Sequence, residues 1–401
     1  MSPQRLRDDL VKQTKIDVLT ADQAKDNEAH MHTVSRSFLT DTITVPTPEM
    51  MSYAALSSLG DAVYHEAATD ALEKHMARLT GKEAALFLPS GTMSNQIAIR
   101  THLTQPPHSI VCDARTHIHK YEAGGAAFHS QAAVIPIHPA NGHHITLEEI
   151  IHNADLTSDI HFALTKLIVL ENTLNGTIFP QDEILRIAKF AKENDLKLHL
   201  DGARIWHVAA ELAIPLEELV SPFDSVSICF SKGLGAPIGT CLMGPAAFIN
   251  KARWLRKLFG GGMRQTGFLS ASAAYAVSNN FEKLFHVHEL TRRIEKGLIE
   301  LGAEILSPAE TCMVFYDPAP LGLEYAEILE RAAKLPDPIT LGGSRLVCHI
   351  QTSDQAVADF LALISQLKEE KKAEGWVPPE KTHVNGNGVI RDVYVRPKAI
   401  H

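Results

Sequence analysis

Leu196-Lys-Leu-His-Leu-Asp201-Gly-Ala-Arg204 and Ser225-Val-Ser-Ile-Cys-Phe230-Ser-Lys232-Gly-Leu-Gly-Ala-Pro237 are each a short apolar run that stops at a charged residue. Short, mostly apolar runs read as strands buried on both faces, which belong in a parallel sheet covered by helices. In such sheets the polar residues just past the strand ends line the ligand crevice. Asp201 and Lys232 stand at those positions, and so does Asn172 after Leu167-Ile-Val-Leu170.

The same alternation extends in both directions. Glu83–Pro89, Ser109–Asp113 and Ala133–Ile137 read as further strands. Between them, Asp70–Leu79 places Leu72, His75, Met76 and Leu79 on one helical face, and a helix opens at Ser90-Gly91-Thr92. Another helix over 182–194 leads into the Asp201 run. A helix over 270–300 leaves the large domain for a second unit, with strands at 311–316 and 345–351 and a helix over 354–371. The expected architecture is α/β, with a mostly parallel sheet in a large domain and a smaller α+β domain at the C-terminal end. The expected boundaries are an N-terminal arm at 1–37, the large domain at 38–286, the small domain at 287–375 and an extended tail at 376–401.

With 401 residues, 45% of them hydrophobic and 21% charged, the chain can bury a large core and a second domain. A net charge of -9 argues against a general nucleic-acid binder. No apolar stretch approaches a membrane span, and the amino terminus lacks a signal-peptide core. The five cysteines are isolated and odd in number, which suits free thiols in a reducing compartment and makes the cytoplasm the default location. The histidines lack ligand partners at recognised spacing, so no metal site is expected. Arg253, Arg256 and Lys257 read as a solvated or interface face of a helix.

Lys232 follows an apolar run and precedes Gly233 and Gly235, where a planar ligand can approach the backbone closely. Asp201 supplies an opposite charge from a second strand end. Pyridoxal phosphate requires both, a lysine to hold it as a Schiff base and an acid to pair with its ring nitrogen. Ser90, Gly91 and Thr92 at a helix start suit a phosphate. Gly260-Gly-Gly-Met-Arg264 suits one as well, across a subunit boundary. His117 follows a strand and precedes small residues, as an imidazole stacked on the ring would. Singly, each has a plainer reading: a solvated rim lysine, a helix-capping aspartate, an ordinary helix start, a loop histidine. Convergence at the strand ends favours the functional one.

From Asp41 to about Ile364 the chain resembles the low-specificity L-threonine aldolases. The resemblance is carried by Lys82-Glu-Ala-Ala-Leu-Phe with Ser90-Gly-Thr, by His117 before Glu122-Ala-Gly-Gly, and by Glu171-Asn-Thr. Asp201-Gly-Ala-Arg204, Ser231-Lys232-Gly-Leu-Gly, Gly260-Gly-Gly-Met-Arg264-Gln and Arg345-Leu-Val-Cys-His complete it. It implies the aspartate-aminotransferase-like fold (fold type I of the pyridoxal phosphate enzymes) and a homodimer or homotetramer with sites at the subunit interface. Lys232 would be the Schiff-base lysine, Asp201 the ring-nitrogen partner and His117 the stacked imidazole near the substrate hydroxyl. Gly91 and Thr92 would hold the phosphate, with Arg264 reaching it from a neighbouring subunit. Arg204 would lie beside the cofactor and, with Arg345, Thr40 and Tyr64, would meet the substrate, Arg345 through a bidentate grip on its carboxylate.

The chain departs from the family pattern at several places. Leu39 replaces an arginine, Ala62, His65, Ala67 and Ala68 replace two carboxylates, a glycine and a proline, and Leu174 stands where bacterial members often carry histidine. Without that histidine, His117 or a water would have to act on the hydroxyl. The implied reaction is cleavage or formation of the Cα–Cβ bond of a β-hydroxy-α-amino acid, such as threonine or allo-threonine, giving glycine and an aldehyde. Two rivals use the same site: β-elimination to a 2-oxo acid, and aldol chemistry on a bulkier aldehyde. A cofactor binder without catalysis is a third, disfavoured by Lys232, Asp201 and Arg345 occurring together.

Overall fold

The computed structural model describes residues 3–157 and 159–377. Its central sheet contains β1 (Ala84–Leu88), β2 (His108–Asp113), β3 (Ala132–Ile137), β4 (Thr165–Glu171), β5 (Lys197–Asp201), β6 (Ser225–Cys229) and β7 (Thr240–Gly244). The strand order is β1-β7-β6-β5-β4-β2-β3. From β6 to β3 every pairing is parallel, while β7 runs antiparallel to both β6 and β1. The apolar runs are strands because both of their faces are covered. Leu167 to Leu170 and Leu198 to Leu200 are at most 1% exposed, with helices such as Gln181–Glu193 packed over them.

The antiparallel β7 is a feature that sequence reading missed. A parallel crossover needs a dozen or more residues, whereas Phe230–Gly239 spans too few and must reverse the chain directly. Gly239 closes that reversal at φ +117, where a Cβ would lie 2.5 Å from Phe87 Cε2. The long helix expected over 270–300 is two helices, Gly267–Asn280 and Lys283–Leu301, separated at Phe281. The first packs on the helix Pro48–Ala55. The second carries Val287, Leu290, Ile294 and Leu298 into a separate core.

That second core surrounds a small antiparallel sheet of β8 (Glu304–Ser307), β9 (Met313–Asp317) and β10 (Arg345–Val347), in the order β10-β9-β8. It is covered by Asp354–Ala373, the C-terminal helix of the described residues. Phe38 belongs to this core. Its backbone N–H donates to Thr340 O (2.9 Å) and its carbonyl accepts from Val347 N (2.9 Å). This pairing fixes the direction in which Leu39, Thr40 and Asp41 leave for the large unit. Most of the expected tail, from residue 378 onward, lies outside the described residues.

The five cysteines are free and buried. Arg256 is not on a solvated face: it is 3% exposed and donates to Phe87 O (3.0 Å), because its helix packs on β1. Among the described residues no helix is long and apolar enough to cross a membrane.

Gly239→Ala should lower stability by about 1–3 kcal/mol through backbone strain and overlap with Phe87. A lower urea midpoint at unchanged slope in equilibrium unfolding would register it.

Candidate active site

The C-terminal ends of β1, β2, β4, β5 and β6 open on one edge of the sheet, and two adjoining cavities lie there. The first, of about 230 Å³, is lined by Ser90, Gly91, Thr92, Asn95, His117, Asp201 and Lys232, among others. The helix Gly91–His102 starts at its wall, capped by Ser90 Oγ, which accepts from Met93 N (3.1 Å). The N–H groups of Gly91 and Thr92 begin that helix and have no intrahelical acceptor, so they suit an anion. A Cβ on Gly91 would lie 3.0 Å from Cys229 Sγ, so a side chain there would crowd this wall.

Asp201 ends β5 and is held from two sides. Asn95 Nδ2 donates to its Oδ2 (2.7 Å) and Ala203 N to its Oδ1 (3.1 Å). Asn95 Nδ2 also reaches Glu122 Oε1 (2.9 Å), which accepts from His117 Nδ1 (2.8 Å). Burial disfavours the charged His117 ring, but the Glu122 bond and the negative charges of Asp201, Glu122 and Glu171 outweigh it and raise the pKa. His117, Glu122 and Asp201 thus bring donor atoms within 4.8 Å of one another, tied together by these hydrogen bonds. Lys232 follows β6, half-buried between the two cavities, and makes no hydrogen bond or ion pair with any described side chain. A Cβ on the following Gly233 would meet His207 Nε2 at 2.5 Å, so glycine is required there for the chain to pass.

The second cavity, of about 150 Å³, shares His117 and Lys232 with the first. Its other walls include Thr40, Thr42, Arg115, Tyr121, Glu171, Asn175, Arg204, Met313 and Arg345. Arg204 is gripped by Asp41 through Nε–Oδ2 (2.8 Å) and Nη2–Oδ1 (2.6 Å). Burial alone would raise the Asp41 pKa, yet the Arg204 charge and hydrogen bonds hold it far below the carboxylate range. Arg345, on β10, donates to Leu39 O (3.1 Å). Thr40 Oγ1 accepts from Thr42 N (3.3 Å). Glu171, at the end of β4, is in register with Asp201 and accepts from His117 N (2.7 Å) through Oε2. Burial first, then the Asp201 charge beside it, push its pKa well above the usual carboxylate range.

Nine of the expected site residues, Lys232, Asp201, His117, Ser90, Gly91, Thr92, Arg204, Thr40 and Arg345, therefore line one cavity or the other. Tyr64 and Arg264 line neither. Tyr64 is 79% exposed, and the Arg264 side chain is 74% exposed in an ion pair with Asp61 (2.8 Å). The two occupy one outward patch, since Ala62 N donates to Arg264 O and Gly60 N to Gln265 Oε1. The departures are mostly displaced from the cavities too. Leu174 is buried, and His65 takes a left-handed backbone at φ 64 while approaching Asp70.

Sequence reading missed Asn95, Glu122, Asp41, Asn175 and Arg115 as parts of the site. Asn95 lies one helical turn beyond Gly91, on the same face, which is a readable signal. Asp41 and Glu122 sit inside recognised motifs, but only the folded chain shows what they hold.

The sequence profile of the beta-eliminating lyase family matches residues 37–319. The chain is 44% identical to a low-specificity L-threonine aldolase of Candida albicans over 347 residues, covering 86% of this chain and 92% of that protein. It is 43% identical to the low specificity L-threonine aldolase of Saccharomyces cerevisiae, covering 83% and 87%. The solved threonine aldolase of Leishmania major superposes with a TM-score of 0.71 at 22% identity, covering 83% of this chain and 99% of that one.

Asp41→Asn would leave the Arg204 guanidinium buried without its counter-charge. We expect a loss of about 3–5 kcal/mol in denaturant unfolding, much of it recovered when Arg204→Met is added.

Proposed function

Because the chain belongs to the low-specificity L-threonine aldolases of the beta-eliminating lyase family, we propose that its two cavities hold a cofactor and an amino-acid substrate side by side. The enzyme is a pyridoxal phosphate-dependent carbon–carbon lyase. It cleaves L-β-hydroxy-α-amino acids such as threonine and allo-threonine to glycine and an aldehyde, or joins them in reverse. The observation that carries this is Lys232, whose amine has no partner among the described residues, between two cavities, with the Asp201 carboxylate fixed in the wall of one of them.

The residues present fit pyridoxal phosphate on chemical grounds. Lys232 offers an amine with no competing hydrogen bond, Asp201 an acid locked in orientation, and Gly91 and Thr92 a helix start open to an anion. Ser90 and His117 complete the cradle. When bound, the group supplies an electron sink for the pair released at the substrate's Cα. The work of the protein is orientation and proton control. Arg345 and Thr40 engage the substrate carboxylate, and Arg204, fixed by Asp41, keeps a positive charge at the wall of the second cavity. His117, oriented through Glu122, presents its ring to both cavities, and the Glu122 bond and surrounding negative charges raise its pKa against the cost of burial.

The finer points belong to the same reading. Tyr64 and Arg264 face outward among exposed apolar side chains, including Leu56 (86%) and Leu59 (92%), so they serve the site of a second copy in a homodimer or homotetramer. The free, buried thiols suit a reducing compartment and support a cytoplasmic location.

Lys232→Ala should abolish the visible absorption of the bound cofactor and cut turnover of threonine, allo-threonine and phenylserine by at least about 10³-fold. The wild type should release aldehyde and glycine. Release of a 2-oxo acid and ammonia instead would reassign it to β-elimination. Mixing inactive Lys232→Ala and Arg264→Ala subunits should restore part of the activity if sites are shared, and none if each subunit is self-sufficient.

A further inference from the structure

We propose that Glu171 is a catalytic residue: its Oε1 takes the β-hydroxyl proton of the substrate in cleavage and returns it to the aldehyde oxygen in synthesis. This rests on the aldolase reading above and names the group that does its proton chemistry. Glu171 differs from the other carboxylates around the site in what its oxygens do. Asp41 spends both on Arg204, and Asp113 both on Arg115. Asp201 and Glu122 likewise have both oxygens engaged. Glu171 accepts from His117 N through Oε2, and its Oε1 takes no hydrogen bond from a described residue, although the side chain lines the substrate cavity.

A second observation points to a polar ligand atom at the same wall. Asn175, four residues on, lines that cavity, and its Nδ2 has no hydrogen-bond partner among the described residues. Its backbone is held left-handed at φ 54 beside Gly176, where a Cβ would meet Met313 Cβ at 2.7 Å. Thr311 Oγ1 anchors the loop by donating to Gly176 O (2.6 Å). A rigid amide donor and a carboxyl acceptor on one wall match an oxygen that changes between hydroxyl and carbonyl.

The alternatives are less suited. Leu174 has no polar atom. His117 Nδ1 is committed to Glu122, and the Glu122 bond and nearby negative charges raise its pKa against the cost of burial, which disfavours the neutral ring that could accept a proton. Glu171 faces Asp201 from β5 and Cys112 from β2, while His117, Lys232 and Arg204 bring positive charge from three further elements. Burial and Asp201 prevail and make it a stronger base than an ordinary carboxylate.

In cleavage the O–H bond breaks onto Glu171 Oε1, the C–O bond becomes a carbonyl, and the Cα–Cβ electron pair stays with Cα. The aldehyde departs. Cα takes a proton from water to give glycine, and Glu171 releases its own to solvent, so no further reactant is needed. Synthesis reverses each transfer. Cleavage then needs the ionised carboxylate and should rise with pH through an ionisation above the usual glutamate range.

Glu171→Gln in the holoenzyme tests this. We expect kcat for threonine cleavage to fall by about 10²-fold or more with little change in KM. The alkaline-rising limb should vanish, with the bound-cofactor spectrum unchanged. Exchange of the glycine α-hydrogen with deuterated water, which involves no β-oxygen, should persist. Infrared difference spectra of wild type minus variant should show a carboxylic-acid band at neutral pH that disappears in alkali. Loss of glycine exchange in step with cleavage, or a retained pH limb, overturns the proposal. Should the glutamine variant fail to hold cofactor, Glu171→Asp decides: a displaced limb supports the role and an unmoved one overturns it. Failure of the wild type to cleave any β-hydroxy amino acid would instead sink the aldolase reading itself.

Discussion

Parallel pairing of neighbouring strands brings their last residues level along one edge of the sheet, and every part of this site depends on that alignment. Glu171 and Asp201 are direct register partners on β4 and β5, and the chain leaving β6 at Cys229 reaches Lys232 three residues later. Two carboxylates this close repel. The fold tolerates them because Asp201 is bound by Asn95 and Ala203, while Glu171 becomes easier to protonate. The sheet therefore sets two like groups apart, Asp201 held in place by hydrogen bonds and Glu171 easier to protonate.

Positive charge around this edge is metered in the same way. Arg204 is immobilised by Asp41, Arg115 by Asp113, and His117 by Glu122. Each pairing holds a planar or branched donor in one orientation at the cavity wall. Lys232 is the exception, because its side-chain amine has no ion pair or hydrogen bond among the described residues. A surplus of salt bridges would be a weak argument for stability, but here the pairs set geometry where charge matters.

The small unit completes the site from the other side. Phe38 is pinned in its core, and the strand-like pairing with Thr340 and Val347 directs Thr40 and Asp41 across to the large unit. Arg345 arrives on β10 and meets the same segment through Leu39 O. The second cavity is thus walled by residues far apart in sequence, from Thr40 to Arg345. A small shift of one unit against the other would alter its shape more than that of the first cavity, whose named lining residues come from the large unit alone.

Much of this was legible in the amino-acid sequence, for a definite reason. Unbroken apolar runs such as Leu167–Leu170 admit one environment, a strand covered on both faces, and the residue after such a run must stand at the crevice. Lys232, Asp201, His117 and Ser90-Gly91-Thr92 were readable on that basis, and motif resemblance added Arg204, Arg345 and Thr40. Tertiary structure alone decided the rest. The reversal of β7 follows from a connection too short to cross over, the burial of Arg256 from packing on β1, and the outward facing of Tyr64 and Arg264 from their shared turn. Which carboxylate keeps an unengaged oxygen depends on partners more than a hundred residues away or on other strands, as with Asn95 and Asp201. Local pattern encodes which face of an element is buried. It does not encode which distant side chain arrives to satisfy a charge, and that arrival assigns each acid and base its role.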